Sequence, residues 1–308
     1  MLVSSLSRKK AVLVAVVLLV FCRVDTSLAQ DTEPRRWAQI PTSVNFVGLA
    51  YSYTDGDIFF DPLLLIEDGT FGLHGTTLAY IRTFGFMGRS ARVDFALPYK
   101  AGRWEGLLDG EYVSVRRRGP GDARARFSML LYGGPAETLQ EFAKSAKSNT
   151  VIGAALAVTI PTGDYNSDRL INLGANRWVI RPQLGVTHMR GKWTGEVTGS
   201  VYIYSDNNHF WQETKLETDP LFAAQAHLIY TFRPGLWTSV STAYGWGGEA
   251  TVNGDAKNNP SGNWLTALSF GVPITRTQGV KIVWVRGRTQ KPTGADIDSL
   301  ILAYSVMF

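Results

Sequence analysis

From about residue 42 onward, apolar and polar side chains alternate with a period of two, as strands do when their faces meet different surroundings. The clearest stretch runs from Arg92 to Lys100. Val93, Phe95, Leu97 and Tyr99 share one face there, and Arg92, Asp94 and Lys100 the other. Phe127, Met129 and Leu131 oppose Arg124, Arg126 and Ser128 in the same way, and Ile180, Leu184 and Val186 oppose Arg181, Gln183 and Thr187. The pattern returns with Val197, Val201 and Ile203 against Glu196, Thr198 and Ser200, then with Phe222, Leu228 and Tyr230 against Gln225 and His227. About twelve such segments succeed one another, near 42–54, 72–85, 90–101, 122–133, 149–160, 177–189, 193–204, 220–232, 236–246, 263–274, 279–287 and 297–308. No helical periodicity of similar strength interrupts them, and 136–147 alone reads as a short connecting helix.

The spacing between segments selects the architecture. Counted back from the C-terminus, long connections (288–296, 247–262, 205–219, 161–176) alternate with short ones (274–278, 233–235, 190–192). A transmembrane barrel has this rhythm because its inner turns are tight and its outer loops extend. A soluble sandwich has no reason for it. The connection 134–148 departs from the rhythm, standing where a short turn belongs. The expected fold class is all-β: a transmembrane antiparallel β-barrel of about twelve strands over 42–308, in the bacterial outer membrane.

Energetics then assigns the faces. An arginine aimed into the bilayer midplane costs about 2–4 kcal/mol, so the polar set is expected to line the lumen. That set comprises Arg82, Arg92, Asp94, Arg124, Arg126, Arg181, Gln183, Glu196, Gln225, His227 and Lys281, with Tyr80, Tyr132 and Tyr202 as inward aromatic candidates for stacking a solute ring. Tyr53, Tyr99, Trp178, Trp193, Tyr230, Phe232, Tyr244, Trp246, Trp264 and Tyr304 lie near segment ends, where an interfacial girdle belongs. At the C-terminus, Leu300, Leu302, Tyr304, Val306 and Phe308 alternate up to the last residue. An apolar, alternating edge strand is a template for β-addition, so Tyr304 and Phe308 are read as the signal to the barrel-assembly machinery.

Ahead of the barrel, Arg8, Lys9 and Lys10 precede an apolar run at 11–22, and Ser27, Leu28 and Ala29 follow. This is the order of a secretory signal, expected over 1–29. Residues 30–41 then read as a leader or lumen plug. Of the 308 residues only one is Cys, at position 22 within that signal, so no disulfide framework or thiolate metal site is expected. The net charge of +5 falls to +2 once Arg8, Lys9, Lys10 and Arg23 leave with Asp25, which removes any case for a nucleic-acid partner.

Catalytic signatures are missing: there is no Gly-x-Ser-x-Gly, His-Glu-x-x-His or Walker-type loop. His74, His188, His209 and His227 lie on separate elements, and the phase of His74 puts it with Thr76, Tyr80 and Arg82 on the polar side. Neither an enzyme, a metal nor a cofactor is expected. Asp55, Asp57 and Asp61 resemble a calcium loop in composition alone and read as solvated acids. Arg116, Arg117 and Arg118 fall in an expected outer loop, either solvated or paired with lipopolysaccharide phosphates.

Two stretches carry a family resemblance. One runs Ile160-Pro161-Thr162-Gly163-Asp164-Tyr165, then Asn172-Leu173-Gly174-Ala175-Asn176-Arg177-Trp178 and Pro182-Gln183; the other is Gly119-Pro120-Gly121-Asp122 entering a strand. They resemble the "MetA-pathway of phenol degradation" family of outer-membrane transporters. The resemblance implies a channel linked to uptake of small aromatic or hydrophobic compounds, and it brings no agreed set of binding residues. Read as residues, Pro161 to Tyr165 is a turn and the asparagines suit a folded loop tucked into the barrel mouth.

The expected function is passive uptake of small, aromatic or hydrophobic solutes, with outer-membrane lipid and lipopolysaccharide as surroundings. The alternative is a structural or surface-binding barrel with a sealed lumen. The inward positive excess favours anions if unpaired, and braces the barrel if paired across strands. At about twelve strands the bore is narrow enough for side chains to fill much of it, so a partly plugged, cross-braced lumen is the expectation.

Overall fold

The computed structural model describes residues 32–60 and 66–308. The expected signal at 1–29, the first residues of the leader and Asp61 lie outside them. Seventeen strands, β1 to β17, take up most of the described chain. The wall begins with β1 (Asn45–Phe59), β2 (Ile66–Phe86) and β3 (Arg89–Leu108). β4 (Glu111–Pro120) and β5 (Ala123–Tyr132) follow as two halves of one wall position, interrupted at Gly121 and Asp122. It continues with β6 (Thr150–Ile160), β7 (Val179–Arg190), β8 (Trp193–Tyr204), β11 (Leu221–Arg233) and β12 (Leu236–Gly247). β15 (Ser261–Pro273), β16 (Gln278–Thr289) and β17 (Gly294–Met307) complete the circle. All these pairings are antiparallel, and β17 pairs with β1, so twelve wall positions close into a barrel.

Closure removes sheet edges, and the lipid then sorts the side chains. Leu49, Leu78, Leu97, Leu184, Val197, Leu228, Val240, Leu268, Leu300 and Leu302 project outward and exposed. The aromatic residues expected in girdles face outward as well, with Tyr230 and Tyr244 half-buried against neighbouring rings. Trp193 meets Tyr230 at 4.8 Å between ring centroids near the inner rim, and Tyr244 meets Trp264 at 4.8 Å near the outer one.

Two departures from expectation have simple causes. The strands β2 and β3 run well beyond the bilayer and carry β4 with them, so Arg116, Arg117 and Arg118 lie in a projecting hairpin and not in a loop. The connection 133–149 contains the helix α1 (Leu139–Lys144), whose start is fixed by a reciprocal capping box between Thr138 and Glu141. This connection buttresses the plug: the Thr42 backbone N–H donates to the Glu137 carbonyl at 2.7 Å, and the Gln39 amide donates to the Ser148 carbonyl at 2.8 Å. Outside the wall, β9 (Asn207–Phe210), β10 (Thr214–Thr218), β13 (Ala250–Val252) and β14 (Asp255–Ala256) form a small sheet over the outer mouth.

Candidate functional site

The lumen is occupied from both ends. At the inner end the segment before β1 enters the bore and Trp37 becomes fully buried. Its ring lies over Gly153 of β6 and Gly185 of β7, where an added Cβ would come within 2.1 and 1.9 Å of ring atoms. No side chain fits in that slot beside the indole. The Trp37 Nε1–H donates to the Thr198 hydroxyl at 2.8 Å. Leu130, Val151 and Ala155 complete the surroundings of the ring, and a void of only about 10 Å³ remains beside it, scarcely room for one water.

A charge network holds the same segment. The Arg36 guanidinium donates to Asp94 and to Ser128, each at 2.8 Å. Arg126 donates to Asp94 at 2.9 Å and to Glu33 at 2.7 Å, while Arg92 stands 3.4 Å from Asp94. Buried Glu196 accepts the backbone N–H of Arg36 at 3.1 Å and the Thr187 hydroxyl at 3.0 Å. Burial on its own disfavours the charged form of Glu33. The guanidinium groups of Arg126, Arg36 and Arg124 outweigh it and hold that carboxyl well below its usual range.

At the outer end the plug is the connection 161–178 between β6 and β7. The Asp122 carboxylate, at the break between β4 and β5, accepts the backbone N–H groups of Gly163 and Ala175, both at 2.8 Å. Gly163 and Gly174 cross so closely that an added Cβ on either would come within 2.6–2.8 Å of the other's Cα and of Asp122. The Asp164 N–H donates to the Pro120 carbonyl at 2.9 Å. The two stretches that carry the family resemblance are therefore bonded to each other in space, and their role here is to pack the loop. Asn176 and Tyr165 extend the attachment to Asn207 and His209 of β9, and Arg177 lies 4.4 Å over the Tyr204 ring.

The loop thereby places Leu173, 3 % exposed, inside the barrel. It fills a chamber lined by Phe71, Leu73, Trp104, Leu265, Val283 and Ile297. The outer half of the lumen is therefore apolar where the inner half is charged.

The expected lumen residues divide accordingly. Arg92, Asp94, Arg124, Arg126, Arg181, Gln183, Glu196, Gln225, His227 and Lys281 have inward phase on their strands. Of the aromatic candidates, Tyr202 is inward and buried, with the Arg181 guanidinium 4.4 Å over its ring. His227 binds the Ser241 hydroxyl through Nδ1 at 2.8 Å.

Four inward assignments are corrected. Tyr80 and Arg82 share the outward face of β2 with Leu78, and both donate to the Asn45 side chain at the inner rim. The midplane penalty does not reach Arg82 there, because it falls to about 0–1 kcal/mol near the interfaces. His74, on the same face, accepts or donates a 2.7 Å hydrogen bond with the Tyr51 hydroxyl. Tyr132 faces outward because β5 is irregular between Leu130 and Tyr132. Leu130 pairs with inward Gly153 but Tyr132 with Ile152, so the phase flips across Leu131. Asp55 and Asp57 sit on β1, opposite Asp298 and Asp296, with Arg288 reaching both of the latter.

Trp37, Arg36, Asp122 and Leu173 were missed as site residues by the strand pattern, since all four lie outside strands. The available signal was glycine at inward positions of adjacent strands, Gly153 and Gly185, which marks a close approach by another part of the chain.

Known proteins agree with this architecture. A crystal structure of an outer membrane channel from Pseudomonas putida F1 superposes with a TM-score of 0.76 at 21% identity, covering 90% of this chain and 100% of that one. The beta domain of the Bordetella autotransporter BrkA superposes with a TM-score of 0.50 at 9% identity, covering 86% of this chain and 100% of that one. No curated protein matches the chain. The fold is that of a bacterial outer-membrane barrel. A family model matches residues 35–294, from the inner plug to the last strand, and the chain belongs to that family, described as "Putative MetA-pathway of phenol degradation".

Proposed function

We propose that the barrel is a passive channel for small, uncharged or weakly polar solutes, aromatic and hydrophobic compounds foremost. The observation that carries this reading is the apolar chamber around Leu173 and what lies below it. Under the chamber, the inward positions of β1, β2 and β17 include a run of small, uncharged residues, Gly48, Ala50, Ser52, Gly75, Thr77, Ala79 and Ala303, all half-buried, bordered by Asp94 and Lys100 of β3 and Lys281 of β16. The plug leans on the other side of the bore, against β5, β6, β7 and β8. A solute that replaces Leu173 in the chamber thus meets a strip of wall without charged side chains on its way inward.

The electrostatics supports the same solute class. Arg36, Arg92 and Arg126 are each ion-paired with Asp94 or Glu33, so none of the three stands as an open positive charge. Focusing of anions requires uncompensated charge along the path. The family's description and the Pseudomonas putida channel agree with transport.

Liposome swelling tests the reading, with phenol, benzoate and a sugar of similar mass as solutes. Phenol should enter faster than either, and Leu173→Ser should lower that preference. Absence of flux for every solute, in the wild type and in a variant lacking residues 32–40, would establish the sealed barrel instead.

A further inference from the structure

Above the outer aromatic row, the projecting hairpin of β3 and β4 carries a basic face that the lumen does not use. Arg103 of β3 stands directly opposite Arg116 of β4, and Arg118 lies on the same face opposite Ala101. Opposed residues in an antiparallel pair have Cβ atoms about 4.5–5.5 Å apart, and like charges in that relation repel. Glu105 is the carboxylate on this face, 2.6 Å from Arg103 and shared with the Tyr112 hydroxyl. Among the described residues, neither Arg116 nor Arg118 has an ion-pair partner, and both are exposed. Arg117 turns the other way and donates to the Ile171 carbonyl of the outer plug, which fixes the phase of β4.

Height matters as much as charge. Tyr53, His74 and Ala101 lie side by side across three strands, so Arg118 stands level with the aromatic row and Arg103 and Arg116 one pair above it. That is the depth of the headgroups in the outer leaflet. The neighbouring face at the same height is different. Asp55, Asp57, Asp296 and Asp298 outnumber Arg286 and Arg288 there, so the excess on that face is acidic and repels a phosphate.

We propose that the outward face of the β3–β4 hairpin binds the lipid A phosphates of lipopolysaccharide through Arg103, Arg116 and Arg118. A phosphate set among the three guanidinium groups replaces their mutual repulsion with charge-assisted, bidentate hydrogen bonds. The acyl chains of the same molecule then lie against Tyr99 and Leu97 directly below, both outward and exposed.

The test uses the full chain in detergent, titrated with lipopolysaccharide, with lipopolysaccharide stripped of its lipid A phosphates, and with inorganic phosphate, read by native mass spectrometry. Wild type should hold the intact lipid at least about tenfold more tightly than the stripped one, and R116E/R118E should abolish that difference. Folding of the variant is verified by its heat-modifiable migration, and R116Q/R118Q replaces it if the reversal does not fold. Equal retention of intact lipid by variant and wild type overturns the proposal. So does equal binding of the stripped lipid, or complete displacement by millimolar inorganic phosphate, which would mark a site for the free anion.

Discussion

The two plugs close one bore by opposite chemistry. The inner one is held by directed bonds, with Arg36, Arg126, Glu33, Asp94 and Glu196 each bonded to named partners, and by an indole in a slot that fits nothing else. The outer one hangs from a polar hinge at Asp122 but meets the lumen through Leu173, with Ile171 beside it, among apolar walls. Directed networks tolerate little substitution because a missing partner leaves a buried charge exposed to cost. Apolar contact is non-directional, so another apolar group of suitable size can replace Leu173. The inner plug is thus built for one occupant and the outer for exchange.

The sharpest way to break this contrast is Gly185→Val. Its side chain occupies the Trp37 position, so the inner segment loses its anchor, at a cost of about 3–5 kcal/mol, comparable to deleting a buried tryptophan. Limited proteolysis should then cleave near residue 37 while the strands stay protected. Next comes Asp122→Ala, which leaves two backbone N–H groups without their acceptor and loosens the outer loop by about 3 kcal/mol. Hydrogen exchange should rise across 161–178 and not across 32–44.

Acid reaches the inner plug through Glu33. The Glu33 carboxyl is lowered in the docked state, against burial, by Arg126, Arg36 and Arg124. Its contribution to docking is therefore complete above its ordinary value near 4.5 and is lost as pH falls through the depressed one. The Glu33 share of the protection should be lost as pH falls below about 4.5. Glu33→Gln should weaken docking by about 1 kcal/mol at neutral pH and flatten the acid limb, leaving Asp94 and Glu196 as the other acids of the network. The smallest change belongs to the exposed Arg169–Asp164 pair on the outer loop, at 3.4 Å. Arg169→Ala should shift loop protection by less than about 0.5 kcal/mol.

The period-two pattern made the wall legible because lipid imposes a uniform demand on every outward side chain. Inward residues answer to local partners, and that is where reading by phase failed. On β2 the inward set is Phe71 and Leu73, apolar because they line the chamber, so the polar phase of Tyr80 and Arg82 was taken for the lumen. On β5 the irregularity at Leu131 reversed the faces within a run that otherwise alternates. The connection 134–148 looked too long for its place until its contacts with Gln39 and Thr42 supplied the reason. For 30–41 the pattern left a leader and a lumen plug both open, and it gave no place to Trp37, since a lone Trp in a polar stretch carries no period.

One feature of the seam reaches further. Residues 32–44 lead straight into β1, the strand that pairs with β17 to shut the ring, while Glu196 and Thr198, which grip Arg36 and Trp37, belong to β8. In a ring of twelve, β8 is six places from β1. The segment is therefore a chord drawn across the widest part of the circle, tethered at both ends. A cylinder braced on its diameter keeps its roundness under the squeeze of the surrounding membrane, and the last hydrogen bonds of its assembly enclose the strut in the same motion.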